Sequence, residues 1–320
     1  MKLTETYQRK LLNIAKLTLV IGTLCFIVYK LFFAYNIQDL ASGNSFKWTT
    51  SKVILLTTTV LLIIPNITLD SLKWKLVITP HEKVSWYQSL QAVSAGIALG
   101  IITPNRLGDF AGKALFLKTY DKIKGAVVSF IGSIAQTISI VCCGSIGLWI
   151  LALQQQYINT VQFYSGLIGI GIVLYLIYYL FINIHWLNRI ISWKKITPYV
   201  DAFTHYSQKE LTTLFILSLI RFGIFNVQYF LLLHFFDVPI AMQYAFPALS
   251  AIFVVQAFVP SIILIEMGVR GATALFFLGL FSTNTSGILL AAYSLWILNI
   301  MLPSLLGLYF ILKLKAHSAA

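Results

Sequence analysis

Several stretches of this chain carry no charge over more residues than a bilayer crossing needs, and that excludes most folds at once. Gly125 to Leu153, Val161 to Ile184 and Gly287 to Leu312 contain no Asp, Glu, Lys or Arg. About 18–20 apolar residues in a helix cross the ~30 Å of bilayer hydrocarbon. In that medium every backbone N–H and C=O must find its partner within the protein, which leaves only helices or closed barrels. Leu11 to Ala34, Val53 to Leu69 and Leu211 to Phe236 bring the predicted spans to six. Lys16 and Lys30 lie near the ends of the first and can snorkel to the interface. Arg221 and His234 lie inside Leu211 to Phe236 and have no such escape. With 58% hydrophobic and 10% charged residues, the loops hold no soluble catalytic domain. No small-residue cleavage site follows the first apolar run, so a cleavable signal is not expected.

Two apolar blocks remain, at 84–118 and 238–282, and charge decides how they lie. Eighteen of the 23 lysines and arginines fall in five groups, at 2–16, 73–83, 106–124, 189–209 and 313–315. The alternate connections, 154–160, 237–239 and 282–286, contain none. The positive-inside rule then places the basic connections and both termini on the cytoplasmic side of the cell inner membrane. The +13 net charge is therefore read as topology and contact with anionic lipid, with no nucleic-acid face. The first block has basic connections on both sides, so it is expected to enter and return as a re-entrant hairpin broken near Pro104. The second has uncharged connections on both sides and is expected to enter from the opposite face, broken near Pro260. The expected fold is an all-α polytopic membrane protein with six full spans and two re-entrant broken-helix hairpins. Its halves, about 11–153 and 161–312, each cross three times, so the second is inverted relative to the first. Inverted repeats whose broken helices meet near the midplane are a common build of transporters.

The two breaks share their chemistry. Asp109 and Lys113 follow Pro104, and Glu266 and Arg270 follow Pro260, each an acid with a base four residues on. Arg106 and Arg270 are the leading candidates to bind substrate, because intramembrane arginine is costly and its fork suits phosphate. Lys113 and Arg221 join them as further candidate contacts. The alternative is that each base merely pairs with an acid and ties helices together. Gly108 and Gly268 are expected to permit close backbone approach beside the breaks. Lys73, Trp74 and Lys75 are read as an interfacial anchor, and His234 and Asp237 as structural residues near the outer interface. Gly96 and Gly100, at GxxxG spacing, and "GLIGIG" at 166–171 are read as helix packing. Cys25, Cys142 and Cys143 lie in apolar spans as packing residues, and the scattered histidines predict no metal site. No cofactor is expected.

Three segments carry a family resemblance: "LDSLKWKLVI" at 69–78, "TPNRLGDFAGKALFL" at 103–117 and "PSIILIEMGVRGATALFFLG" at 260–279. They resemble the basic-Trp-basic helix end, the Thr-Pro-x-Arg-x-Gly-acid segment and the late Pro…Gly-Val-Arg segment of the lysylphosphatidylglycerol synthase transmembrane region, or flippase-like domain, family. In that family the late motif has more glycines before Gly-Val-Arg and an acid after it. Here Glu266 precedes Gly268, and Gly271 follows the arginine. The resemblance implies translocation of a lipid or lipid-linked headgroup. The aminoacylating domain of bifunctional members is absent, so synthase activity is not expected. Two function classes stay open: a translocase of an anionic membrane lipid, and a membrane-embedded enzyme of lipid-linked sugar or headgroup transfer. Such an enzyme needs an acidic metal cluster or a general-base pair, whereas the ten carboxylates are spread singly along the chain. A small-solute transporter is a third option. No P-loop is present, so ATP hydrolysis is not expected.

Overall fold

The computed structural model describes residues 48–186, 205–259 and 263–318. The predicted span at 11–34, Cys25 and Pro260 lie outside the described residues. The chain divides into Trp48–Phe310 and a second unit of Met1–Lys47 with Ile311–Ala320. The account below concerns Trp48–Phe310.

The described residues contain helices and no strands. Helices α1 (Thr50–Leu61) and α2 (Ile63–Ile78) run on from one another as one long rod. A hairpin of α3 (Trp86–Ile101) and α4 (Gly108–Ala114) follows, then α5 (Lys122–Gln154) and α6 (Thr160–Ile182). After α7 (Gln208–Phe235) a second hairpin pairs α8 (Met242–Phe258) with α9 (Ile263–Leu278). Last come α10 (Thr285–Trp296), a π-helical turn at Ile297–Met301 and α11 (Leu302–Ser318). Among the described residues five rods are long and apolar enough to cross a bilayer: Thr50–Ile78, Lys122–Gln154, Thr160–Ile182, Gln208–Phe235 and Thr285–Leu314.

Local chemistry sets where these helices start. Thr49, Ser85, Asp121, Asn159, Ser207 and Asn284 each accept a hydrogen bond from a backbone N–H in the first turn that follows. An N-cap satisfies donors that would otherwise be orphaned. Asn159 with Gln162 and Ser207 with Glu210 complete reciprocal capping boxes. The first rod departs from expectation in length. Its charges at Asp70, Lys73 and Lys75 do not end it, and the helix continues to Ile78.

The two ends of the bundle differ. At one end Tyr206 donates to the Val77 carbonyl at 2.5 Å and Gln208 donates to Asn183 at 2.8 Å. His81 stacks on Tyr120 there, with ring centroids 4.6 Å apart. Lys83, Lys118, Lys122 and Lys124 belong to this end. At the other end Lys52 pairs with Asp237 at 2.6 Å, Asn284 donates to the Asp237 carbonyl at 3.0 Å, and Gln154 donates to the Gln243 carbonyl at 3.0 Å. His234 bonds the Phe230 carbonyl at 3.1 Å through Nδ1.

The first hairpin is rooted at the basic end. Gln88 donates to the Phe116 carbonyl at 2.7 Å, and the Glu82 carboxylate gathers the backbone N–H groups of Lys118, Thr119 and Tyr120 at 2.9–3.1 Å. Burial pushes the Glu82 carboxyl up, but those three donors and the Thr119 hydroxyl outweigh it and hold the group at about 2. The second hairpin is rooted at the opposite end, where Tyr244 of α8 stacks on Phe281 at 5.3 Å.

The first hairpin closes because its facing positions lack side chains. A Cβ at Gly96 would lie 2.6 Å from Asp109 Oδ1, and one at Gly112 would lie 2.6 Å from the Ala95 carbonyl. At Gly108 it would strike the Leu99 carbonyl. Glycines four apart on both arms thus let two backbones touch, as in membrane helix pairs generally. The expected close approach does not hold at Gly268, where an added Cβ meets nothing within 4 Å. That glycine is exposed on α9. Gly169 and Gly171 are equally open.

Gly112→Ala is expected to lower the melting temperature in detergent by forcing the arms apart, at a cost of about 1–3 kcal/mol. Gly169→Ala, with open space and better helix propensity, should leave it unchanged or higher. Equal melting of the two variants would contradict the interlock. Glu82 gives a second prediction. Its folded value lies below the ordinary 4.5, so its contribution is complete above about pH 4.5 and is lost as pH falls toward about 2. The wild type should lose stability across that window by more than Glu82→Gln does, and parallel acid titrations of the two would rule the linkage out.

Candidate functional site

A cavity of about 700 Å³ lies inside the bundle, lined by the tip of the first hairpin, by both arms of the second and by α2, α5, α7, α10 and the π turn. Three helices present polar groups to it, two of them at helical spacing. On α2 these are Asp70, Lys73 and Trp74. On α5 they are Ser129, Ser133, Gln136 and Thr137. On α7 Arg221 stands beside Phe222 and Phe225. Residues spaced three and four apart share one helix face, so α2 and α5 each turn a polar stripe inward, while α7 adds Arg221 to an aromatic face.

The hairpin tip supplies Arg106. Thr103 accepts from the Gly108 N–H at 2.7 Å and donates to the Leu99 carbonyl at 3.2 Å, which pins the turn. Pro104 opens the single turn of 3₁₀ helix. Asn105 and Arg106 then both take positive φ, 49° and 57°. Asn adopts that conformation readily, whereas for arginine it costs about 1–3 kcal/mol, a form of strain concentrated at functional sites. The break leaves Arg106 half-buried at the cavity wall.

Five cations and three carboxylates line the space: Lys73, Arg106, Lys113, Arg221 and Arg270, with Asp70, Asp109 and Glu266. Each carboxylate is engaged. Lys113 meets Asp109 at 2.6 Å and Arg270 meets Glu266 at 2.8 Å, each pair four residues apart on one helix. Arg221 reaches Asp70 at 3.3 Å across two helices. Its Nε donates to Asn66 at 2.8 Å, and its guanidinium sits 5.3 Å from the Phe225 ring centroid. The Gln136 side-chain oxygen accepts from Lys73 at 2.8 Å and, more weakly, from Arg221 at 3.5 Å. Asn66 donates to Asn299 of the π turn at 2.6 Å, and such turns recur at functional sites. Among the described residues neither Lys73 nor Arg106 has a carboxylate within ion-pair distance.

Four sequence candidates, Arg106, Lys113, Arg221 and Arg270, thus line one cavity together with Asp109 and Glu266. Pro104 and Gly108 shape the first tip. Gly268 is not among the lining residues, and Pro260 lies outside the described residues. The interfacial-anchor reading of Lys73 and Trp74 is overturned. Lys73 is 2% exposed and Trp74 3%, and the indole N–H donates to Ser129 at 3.0 Å. Lys73, Arg106 and Lys113 therefore line the cavity rather than lying free in a loop. Asp70, Lys73 and Gln136 are additions that sequence reasoning missed. The signal was present in the spacing of Asn66, Asp70, Lys73, Trp74 and Val77 on one helix face, once the helix is carried past Leu69.

A ring of cations with firmly held carboxylates can bind and orient an anionic, hydrogen-bond-accepting group. Phe110, Phe222, Phe225 and Phe253 give the same space apolar wall. No curated protein and no solved structure matches this chain. The family model described as Lysylphosphatidylglycerol synthase TM region matches residues 13–309, nearly the whole chain, and this multi-pass membrane protein belongs to that family.

Proposed function

We propose that the protein is a translocase (a flippase) that moves a phospholipid or a lipid-linked anionic headgroup across the membrane, holding the headgroup in the cation-lined cavity. The observation that carries this reading is the meeting of two hairpins, rooted at opposite ends of the bundle, at one cavity with five cations. That is the arrangement expected of inverted halves, about 11–153 and 161–312, around a midplane site. The headgroup exchanges hydration for arginine and lysine donors while the acyl chains stay in the bilayer. Transfer chemistry is less well supported. Each cavity carboxylate is bound to a cation, which leaves none of them poised as a general base.

Vesicles containing the purified protein and a fluorescent phosphatidylglycerol test this reading. Removing one partner of a buried pair costs about 3–5 kcal/mol, so single variants confuse folding with binding. Glu266→Gln with Arg270→Gln should melt near the wild type yet transfer lipid at least about tenfold more slowly, the size of one lost charge-assisted hydrogen bond. Arg270→Lys should rescue Arg270→Gln only in part. Wild-type transfer by the double variant would make this pair a staple. The same result for Asp70→Asn with Arg221→Gln would remove the case for the cavity.

Orientation has its own test. With the basic end cytoplasmic, cysteines placed at Lys83 and Lys122 should label from the cytoplasm, in a background lacking Cys25, Cys142 and Cys143. Cysteines at Tyr157 and Thr283 should label from outside. Labelling of Lys83 and Lys122 positions from opposite faces would end the re-entrant reading of the first hairpin.

A further inference from the structure

The charges of the cavity identify the class of headgroup, an inference that rests on the reading above. The three pairs Asp70–Arg221, Asp109–Lys113 and Glu266–Arg270 are each neutral. Two cations remain without a carboxylate among the described residues. Lys73 sits in the packed floor, where its side-chain acceptor among the described residues is the neutral Gln136, and Arg106 stands on the strained hairpin tip. Both line the same cavity, Lys73 from α2 and Arg106 from the tip of the first hairpin. Buried charge is tolerated when it is compensated. With both bases protonated, the compensation within the described residues falls short by two negative charges.

We infer that the headgroup carries about two negative charges on one phosphate group or two linked phosphates, a phosphomonoester or diphosphate lipid rather than a phosphodiester or zwitterion. A phosphomonoester holds about −1.5 to −2 at neutral pH with three terminal acceptor oxygens. A phosphodiester holds a single charge and exposes two such oxygens. Lys73 from the floor offers a point charge with three donors, and Arg106 from the tip offers a planar fork. Together they meet a terminal phosphate from two sides, while the neutral pairs keep their own bonds. The strain at Arg106 then has a use, since it brings the fork to the wall.

The test uses the full chain in detergent, with the fluorescence of the cavity tryptophans as readout. Three probes are titrated: dioleoyl phosphatidic acid, its monoanionic methyl ester dioleoyl phosphatidylmethanol, and glycerol 3-phosphate. Phosphatidic acid should bind at least about tenfold more tightly than the methyl ester, the size of one charge-assisted hydrogen bond. Lys73→Met and Arg106→Gln should each weaken phosphatidic acid more than the methyl ester and so reduce that preference to near parity. Arg106→Gln alone carries the test if Lys73→Met melts below the assay temperature. Equal affinity for the two lipids, with loss of both in Asp70→Asn with Arg221→Gln, would overturn this inference and leave the translocase reading standing. Glycerol 3-phosphate binding as tightly as phosphatidic acid would keep the dianion site and remove the lipid. No binding by any probe would overturn both.

Discussion

The contact on which the site depends is backbone against backbone. Gly108 and Gly112 of α4 lie on Leu99, Ala95 and Gly96 of α3 with no side chain between them. Helices carrying side chains at those positions would stand a full side-chain layer further apart. The tip between them would then open, and Arg106, Asp109 and Lys113 would leave the wall that Asp70 and Lys73 complete from α2. Thr103 and the turn it pins rest on the same approach, as does the left-handed backbone at Asn105 and Arg106.

Charge is the second constraint, and it is met by sharing. A buried guanidinium with one acid is rarely satisfied, because it offers five donors in fixed directions. Arg221 spreads them over Asp70, Asn66 and Gln136 and lays its plane near Phe225. Gln136 joins this arginine to Lys73, so two cations from different helices meet at one neutral oxygen. Neutral amides can lower repulsion between cations without cancelling their field. A fourth acid in place of Gln136 would cancel it, and the attraction for an anion with it.

Much of this could be read before any coordinates. Uncharged runs give the rods, whereas the six capping residues that start them were not singled out in the sequence. The break at Pro104 and four of the five cavity cations were also visible. What escaped was governed by tertiary burial. Lys73 and Trp74 look like a headgroup anchor because a lysine–tryptophan–lysine sequence has that composition at a membrane surface. Only the packing of α5 and α7 against α2 turns the same face inward. Gly268 escaped for the converse reason. A glycine beside a motif suggests close packing, yet in space nothing approaches it. Glycine spacing on two facing arms, as at 96, 100, 108 and 112, was the better guide.

Among the described residues the two hairpins are joined by different contacts. The first has a carboxylate clasp at Glu82, a glycine seam along its arms and a pinned tip. In the second, the described side-chain bonds between its arms run through Gln256, to Thr273 at 2.9 Å and to Arg270 at 3.4 Å. Gln256 thus ties Arg270, a cation of the cavity wall, to the opposite arm of its hairpin. A change at this one neutral amide would reach the charge on α9 through a single side chain.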